Sequence, residues 1–178
     1  QLAAQTALSI DNEIMKAKCW ALIFKNEAYV SYYSGNKEEA FDLLEKSSQN
    51  AMLDLPNNAE IYVSDFRMMS EILCELKEYE AAEEAAKMAK KATDDMIDND
   101  SETIKSCEAL AKVYLKQGEY SKSYDEYNKA FQLIKSTKFF SSLFLIRFYN
   151  DFAFVCENLK DYNKAVSLIE HTLVILYR

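Results

Sequence analysis

The sequence predicts an all-α chain of stacked helical hairpins, and three observations carry that prediction. The 178 residues are 49% hydrophobic yet include only two glycines and one proline, too few turn-formers for a strand-rich fold. The stretch from Leu110 to Ala130 reads as a helix, a turn at Gly118 and a second helix. Ala111 and Tyr114 share a face of the first, while Tyr120, Ser123, Tyr127 and Ala130 are spaced 3, 4 and 3 along the second. Small residues alternate with large ones, as closely packed helices require. Finally, the pattern recurs. Leu76–Ala82 and Leu159–Ala165 are near copies of Gln117–Ser123, and Ser34–Ala40 is a looser one. Aligned, Ala40, Ala82, Ser123 and Ala165 fall 42, 41 and 42 residues apart, a fixed period that marks a repeat architecture.

In chain order, Gln1 to Leu8 reads as the end of a helix, so residues 1–10 are expected to close a truncated preceding repeat, in a fragment of a longer protein. A first helix is expected over 11–34 and its partner over 37–54. Pro56, with Asn57 and Asn58, opens a third, proline being tolerated in a first turn. That helix runs to about Leu76, and a fourth spans 78–97. Asp98, Asn99, Asp100 and Ser101 supply turn and N-cap residues for a helix ending at Gly118, expected as a left-handed C-cap. Helices over 120–135, 138–159 and from Tyr162 onward complete the set. The repeats are thus expected at 11–54, 55–97, 98–136 and 137–178. The last helix carries Val166, Ile169, Leu173, Val174 and Leu176 with no polar capping helix after it. Such an end exposes apolar area, which points to a missing C-terminal portion or to self-association through uncapped ends.

The residues at the repeated positions resemble those of the tetratricopeptide-repeat (TPR) family over essentially the whole chain. The family pattern is a small residue in mid-helix A, an aromatic three later and Gly at the turn, then Tyr, Ala, an aromatic and Ala along helix B. One repeat carries Ala111, Tyr114, Gly118, Tyr120, Ser123, Tyr127 and Ala130. The others carry Ser70, Leu73, Tyr79, Ala82, Ala86 and Ala89; Ala153, Cys156, Tyr162, Ala165, Ile169 and Thr172; and Ala28, Ser31, Gly35, Ala40, Leu44 and Ser47. The family's proline after helix B is absent, Glu27 stands where an apolar residue is usual, and the period exceeds the roughly 34 residues common in TPRs. The first and last departures imply longer helices, as in the kinesin-light-chain-like and bacterial-regulator subgroups. The resemblance implies a right-handed TPR superhelix of antiparallel helix pairs, about four repeats long. It also implies a concave groove lined by helix A of each pair.

By that alignment the candidate peptide-binding residues are Lys25, Tyr29, Tyr32 and Tyr33 in the first repeat and Arg67 in the second. The third gives Lys105, Lys112 and Lys116, and the fourth Arg147, Asn150, Phe154 and Asn158. With Leu22, Ser64, Glu71, Cys74, Glu75, Glu108, Leu115 and Glu157, the inner set holds six bases against four acids in a chain of net charge −8. A relatively basic, aromatic-lined groove suits an extended peptide bearing carboxylates. The plainer reading is that Glu108–Lys112 is a helical i,i+4 pair and the rest is solvated surface. Tyr29, Tyr32 and Tyr33 share one helix face, either as an aromatic anchor platform or as packing against a preceding repeat. Asn150 and Asn158 lie about two turns apart, where amides can clasp a peptide backbone through paired donor and acceptor. Rap and PlcR-like peptide-sensing regulators use groove asparagines this way. The carboxylate clamp of chaperone-binding TPRs is not reproduced: Lys25 fits its first basic position, but Tyr29 stands where it needs Asn.

Composition narrows the function further. A chain with net charge −8 and pI near 4.8 is a poor partner for nucleic acid or an anionic membrane. No apolar run reaches the roughly 18 residues of a membrane span. Cys19, Cys74, Cys107 and Cys156 form neither CxxC nor a metal spacing and are expected as buried thiols in a reducing, cytoplasmic setting. His171 is the sole histidine and is expected on a helix surface. Asp94, Asp95, Asp98 and Asp100 lack the spacing and glycine of a calcium loop, and there is no phosphate-binding glycine loop. The sequence therefore predicts a non-catalytic interaction module without cofactor, binding a protein or peptide. The alternatives are the ligand-sensing domain of a bacterial signal-peptide-responsive regulator and a self-assembling scaffold.

Overall fold

The computed structural model describes residues 6–7, 12–94, 96, 99–136 and 140–177. Eight helices and no strand are found among them. Residues 1–97 and 98–178 form two compact units, each of two helical hairpins. Unit 1 holds α1 (Glu13–Tyr33), α2 (Lys37–Met52), α3 (Leu55–Glu75) and α4 (Tyr79–Asp94). Unit 2 holds α5 (Asp100–Gln117), α6 (Tyr120–Ile134), α7 (Ser142–Asn158) and α8 (Tyr162–Leu176). The helical reading of residues 1–8 falls largely outside the described residues, although Thr6 and Ala7 are helical.

Local chemistry explains the helix ends. The Asn12 side chain accepts from the Ile14 and Met15 amides at 3.0 and 3.1 Å and starts α1. Asn99 caps α5 through the Glu102 amide, and Pro56 sits in the first turn of α3. α7 begins at Ser142 because Ser141 Oγ accepts from the Phe144 amide, later than the expected start at 138. α2 stops at Met52, two residues before its expected end, with no glycine there to fix the stop, and helix termini are the least constrained positions; the expected end of α4 near Ile97 lies outside the described residues.

All four hairpins turn alike. Gly35, Lys77, Gly118 and Lys160 adopt left-handed φ of +90, +65, +78 and +63°, spaced 42, 41 and 42 residues apart. In each, the amide of that residue and the next reach back to close the helix C-terminus. At Gly118 they bond the Leu115 and Tyr114 carbonyls at 3.1 and 2.9 Å, and at Lys160 those of Glu157 and Cys156 at 2.9 Å each. This is the Schellman arrangement, which satisfies carbonyls the helix leaves open.

The small repeated residues let paired helices approach. Ala21, Ala28, Ala40, Ala82, Ala111, Ser123 and Ala130 have no exposed surface. At two of these contacts a serine on the second helix donates to a carbonyl on the first, both at 2.8 Å: Ser47 to Ala21 and Ser123 to Ala111. The core of unit 2 is aromatic. The Tyr127 ring stacks on Phe152 and meets Phe148 edge-on, at 5.4 Å each, and Phe131 lies 6.0 Å from Phe152. Burying each such ring stabilises by roughly 1.5–3 kcal/mol. Cys107 and Cys156 are buried, while Cys19 and Cys74, expected as buried thiols, are only half-buried.

Candidate functional site

The expected groove residues fall in both units. In unit 1, Lys25 and Tyr29 of α1 lie near Asp65 of α3, and Arg67 of α3 lies near Tyr29. Lys25 Nζ donates to Ser64 Oγ at 2.5 Å. Tyr29 is half-buried, and its phenol pKa is raised by burial against the opposing pull of Arg67. Farther along, the Tyr32 hydroxyl donates to Glu75 at 2.8 Å, and Lys37 Nζ lies 2.8 Å from the other oxygen of that carboxylate. Burial and this bond hold the Tyr32 proton well above the ordinary phenol range. Tyr33 meets the Tyr32 ring edge-on at 5.3 Å and is 81% exposed. The three tyrosines therefore do not form one uniform platform.

Asp65 is the most unusual side chain of this group. It is fully buried, and Ser47 Oγ lies 2.6 Å from its Oδ2 and 2.8 Å from the Ala21 carbonyl oxygen. One serine hydroxyl has a single proton and cannot satisfy two acceptors at those distances. The arrangement closes if Asp65 carries the second proton and donates to Ser47, which donates to Ala21. Burial pushes the Asp65 carboxyl up to about 7, against the opposing influence of Ser47 and Lys25, which agrees with the proton count.

In unit 2, the candidate residues lie on α5 and α7. Lys112 Nζ lies 2.6 Å from Glu108, one turn away, and Lys105 Nζ 2.6 Å from Glu102. Lys112, Lys116 and Arg147 act together on Asp151, each favouring its ionised form. Burial outweighs them and, with Glu108 beside it, raises the Asp151 pKa. Beneath, the Tyr127 hydroxyl is buried, and desolvation followed by Asp151 and Glu108 raises its pKa well above the ordinary value. Phe154 is 52% exposed. Asn150 and Asn158 are both exposed and both engaged within the chain. Asn150 Oδ1 accepts from Thr172 on α8 at 3.4 Å, and Asn158 Nδ2 donates to the Phe154 carbonyl of its own helix at 2.8 Å.

Of the expected residues, the structure thus brings Lys25, Tyr29 and Arg67 together, and Lys112, Lys116 and Arg147 together. Lys105, Tyr32, Tyr33 and Asn158 each have separate local partners or stand in solvent. Sequence reasoning passed over Asp65, Glu102 and Asp151. These three carboxylates face the counted bases, so the expected excess of base is offset locally. The Arg147–Asp151 spacing of four was a usable signal for one of them. His171 lies on the surface of α8, as expected, with its ring stacked on Tyr149 at 5.3 Å. Among the described residues, no group of three His, Cys, Asp or Glu could hold a metal, and no helix is long and apolar enough to cross a membrane.

No protein-family model matches the sequence, and no curated protein matches it. Solved structures match in fold. BtubC (BKLC) from P. vanneervenii aligns with TM-score 0.81 and 13% identity, over 98% of this chain and 69% of that one. The apo form of RapI aligns with TM-score 0.76 and 18% identity, over 96% of this chain and 59% of that one. A putative kinesin light chain from Podosopora anserina, with nearly identical TPR-like repeats, gives TM-score 0.65 and 15% identity over 99% and 82% of the two chains. Identities this low speak to the fold alone. The chain has the fold of the TPR-like helical-repeat proteins, all-α, as the residues at its repeated positions implied.

Proposed function

We propose that this chain is a non-catalytic interaction module whose unit 2 inner face, on α5 and α7, docks an extended peptide or partner segment bearing carboxylates. One observation carries the reading: three cations, Lys112, Lys116 and Arg147, act on Asp151, whose pKa burial raises against them. An ionised Asp151 satisfies those cations internally. A protonated Asp151 leaves Lys116 and Arg147 to a ligand carboxylate, which Arg147 can take in a bidentate bond, while Lys112 keeps its contact with Glu108. The exposed Phe154 ring, on the same helix, offers an apolar anchor. The rigid helices hold these groups in place beforehand, so ordering costs fall on the ligand.

The test is fluorescence anisotropy with a fluorescein-labelled tetraglutamate peptide across pH and salt. The wild-type chain is expected to bind more tightly as pH falls toward the raised Asp151 pKa while the peptide carboxylates, with pKa near 4.3, stay ionised, and less tightly as salt rises. Lys112→Glu combined with Arg147→Glu should weaken binding by tenfold or more, given about 1.5–3 kcal/mol per charged hydrogen bond, and flatten the salt dependence. Asp151→Asn should tighten binding near neutral pH and remove its pH dependence. Equal affinity and salt slope for wild type and the charge-reversal variant would sink the reading.

A further inference from the structure

Beneath the residues of the docking proposal lies a hydroxyl without a hydrogen bond. Tyr127 of α6 has no exposed surface, and its Oη forms no hydrogen bond of ordinary geometry among the described residues. A buried donor left in that state is costly, and in a native fold it calls for an explanation. The ring itself is fixed. It stacks on Phe152 and meets Phe148 edge-on, at 5.4 Å each. Phe148 and Phe152 are one turn apart on α7, and Asp151 follows Phe148 by three residues, so it shares their side of the helix. The two phenylalanines therefore grip the Tyr127 ring on the side of α7 that bears Asp151.

Two carboxylates act on this hydroxyl, Asp151 of α7 and Glu108 of α5. Glu108 is already taken, with Lys112 Nζ at 2.6 Å. Asp151 is the one that also approaches Oη as a hydrogen-bond acceptor, short of a well-formed bond. Burial first, then these two charges, holds the phenol pKa well above its ordinary value. Oη therefore keeps its proton, and an ionised carboxylate beside it can only accept. The titratable and charged groups that act on Asp151 are Glu108, Lys112 and Lys116 of α5 and Arg147 of α7, with Tyr127 reaching it from α6. Of these, Tyr127 alone is uncharged, so its contribution can be removed without altering the charges of the site.

We propose that the Tyr127 hydroxyl is the internal donor to the ionised Asp151 carboxylate, and thereby a positioning residue that tunes how readily α5 and α7 release their cations to a ligand. The tuning rests on the docking proposal; the bond itself does not. With Asp151 ionised, Oη turns its proton to the carboxylate and, with the cations, holds the unliganded arrangement. When a ligand carboxylate draws Lys116 and Arg147 away, Asp151 takes a proton from solvent. Oη then accepts from that carboxyl proton, so neither group is left unpaired. A hydrogen bond donated to the charged form of an acid favours that form. Tyr127 therefore opposes ligand binding near neutral pH and confines tight binding to lower pH.

The test is Tyr127→Phe, which keeps the ring, its stacking and every charge. Carbon-13 NMR of the carboxyl groups, with Asp151→Asn to assign the resonance, reads the Asp151 pKa in the chain without peptide. The variant should raise that pKa by about one pH unit or more, the loss expected for a hydrogen bond to a charged group. Anisotropy with the tetraglutamate peptide reads the consequence: the pH profile of binding should move up with the Asp151 pKa, tightening binding near neutral pH by severalfold to about tenfold. A merely structural role would lower Tm without moving the Asp151 titration. A second measurement needs no change at Tyr127. In the wild type the Tyr127 Cζ resonance should follow the Asp151 titration, and it should stop doing so in Asp151→Asn. An Asp151 pKa that is unchanged or lowered in Tyr127→Phe, or a Tyr127 Cζ resonance that stays flat while Asp151 titrates, would overturn the proposal. A raised pKa with no peptide bound by either protein would uphold the bond and overturn the docking proposal with its tuning, so the two failures are distinguishable.

Discussion

Asp65 shows how much one side chain can decide. Its folded-state pKa is about 7 against a reference of 3.8, so the folded chain holds a proton that the unfolded chain releases. Stability from this group is full below about pH 4 and is lost as pH rises toward and through 7. At about 1.4 kcal/mol per pH unit the loss amounts to at most roughly 4 kcal/mol. Asp65→Asn keeps a donor for Ser47 and removes the titration. The variant should be more stable than wild type at pH 8, with a flatter Tm profile between pH 5 and 8. Parallel Tm profiles for the two proteins would show that Asp65 is not the titrating group. The sequence placed Ser64 and Arg67 on the inner face but passed over Asp65. An isolated carboxylate in a helix reads as solvated surface unless the residue opposite is known, and Ser47 lies 18 residues away. Asp151 was hidden for a related reason: its identity was plain, but its burial and its three cationic neighbours come from two helices.

At the scale of elements, the turn was legible at Gly118 and obscure at Lys77 and Lys160. Glycine advertises a positive φ; lysine does not, and only the common period reveals that all four positions are equivalent. A left-handed non-glycine residue costs about 1–2 kcal/mol, less the greater freedom glycine brings to the unfolded chain. Lys160→Gly is therefore expected to stabilise by a few tenths to about 1 kcal/mol. Gly118→Ala should destabilise by about 1 kcal/mol through backbone strain alone, because a Cβ there meets no atom within 4 Å. Chemical denaturation of the two variants checks both signs, and a stabilising Gly118→Ala would refute the shared-turn account. The helices themselves were readable because their apolar and small residues recur at fixed spacing. The end of α2 at Met52 was not, since no glycine or proline fixes that stop.

At the scale of the molecule, the repeat period, the low glycine and proline content and the small-residue positions made the all-α, TPR-like fold legible. The division after Ile97 into two units was not, because the period runs through it unbroken. The sequence also named candidate groove residues without their pairing. Charge counts treat each lysine as available, whereas Lys105 and Lys112 lie 2.6 Å from acids on their own helices. What lies outside these two pairs is Lys116 and Arg147 beside Asp151, and the docking proposal rests there. The most direct test is a two-dimensional 15N NMR titration of the labelled chain with the tetraglutamate peptide at pH 6. The account predicts shifts concentrated on α5 and α7, at Lys112, Lys116, Arg147 and Asp151, and lost in the Lys112→Glu/Arg147→Glu variant. Shifts confined to α6 and α8, or no shifts at millimolar peptide, would contradict it.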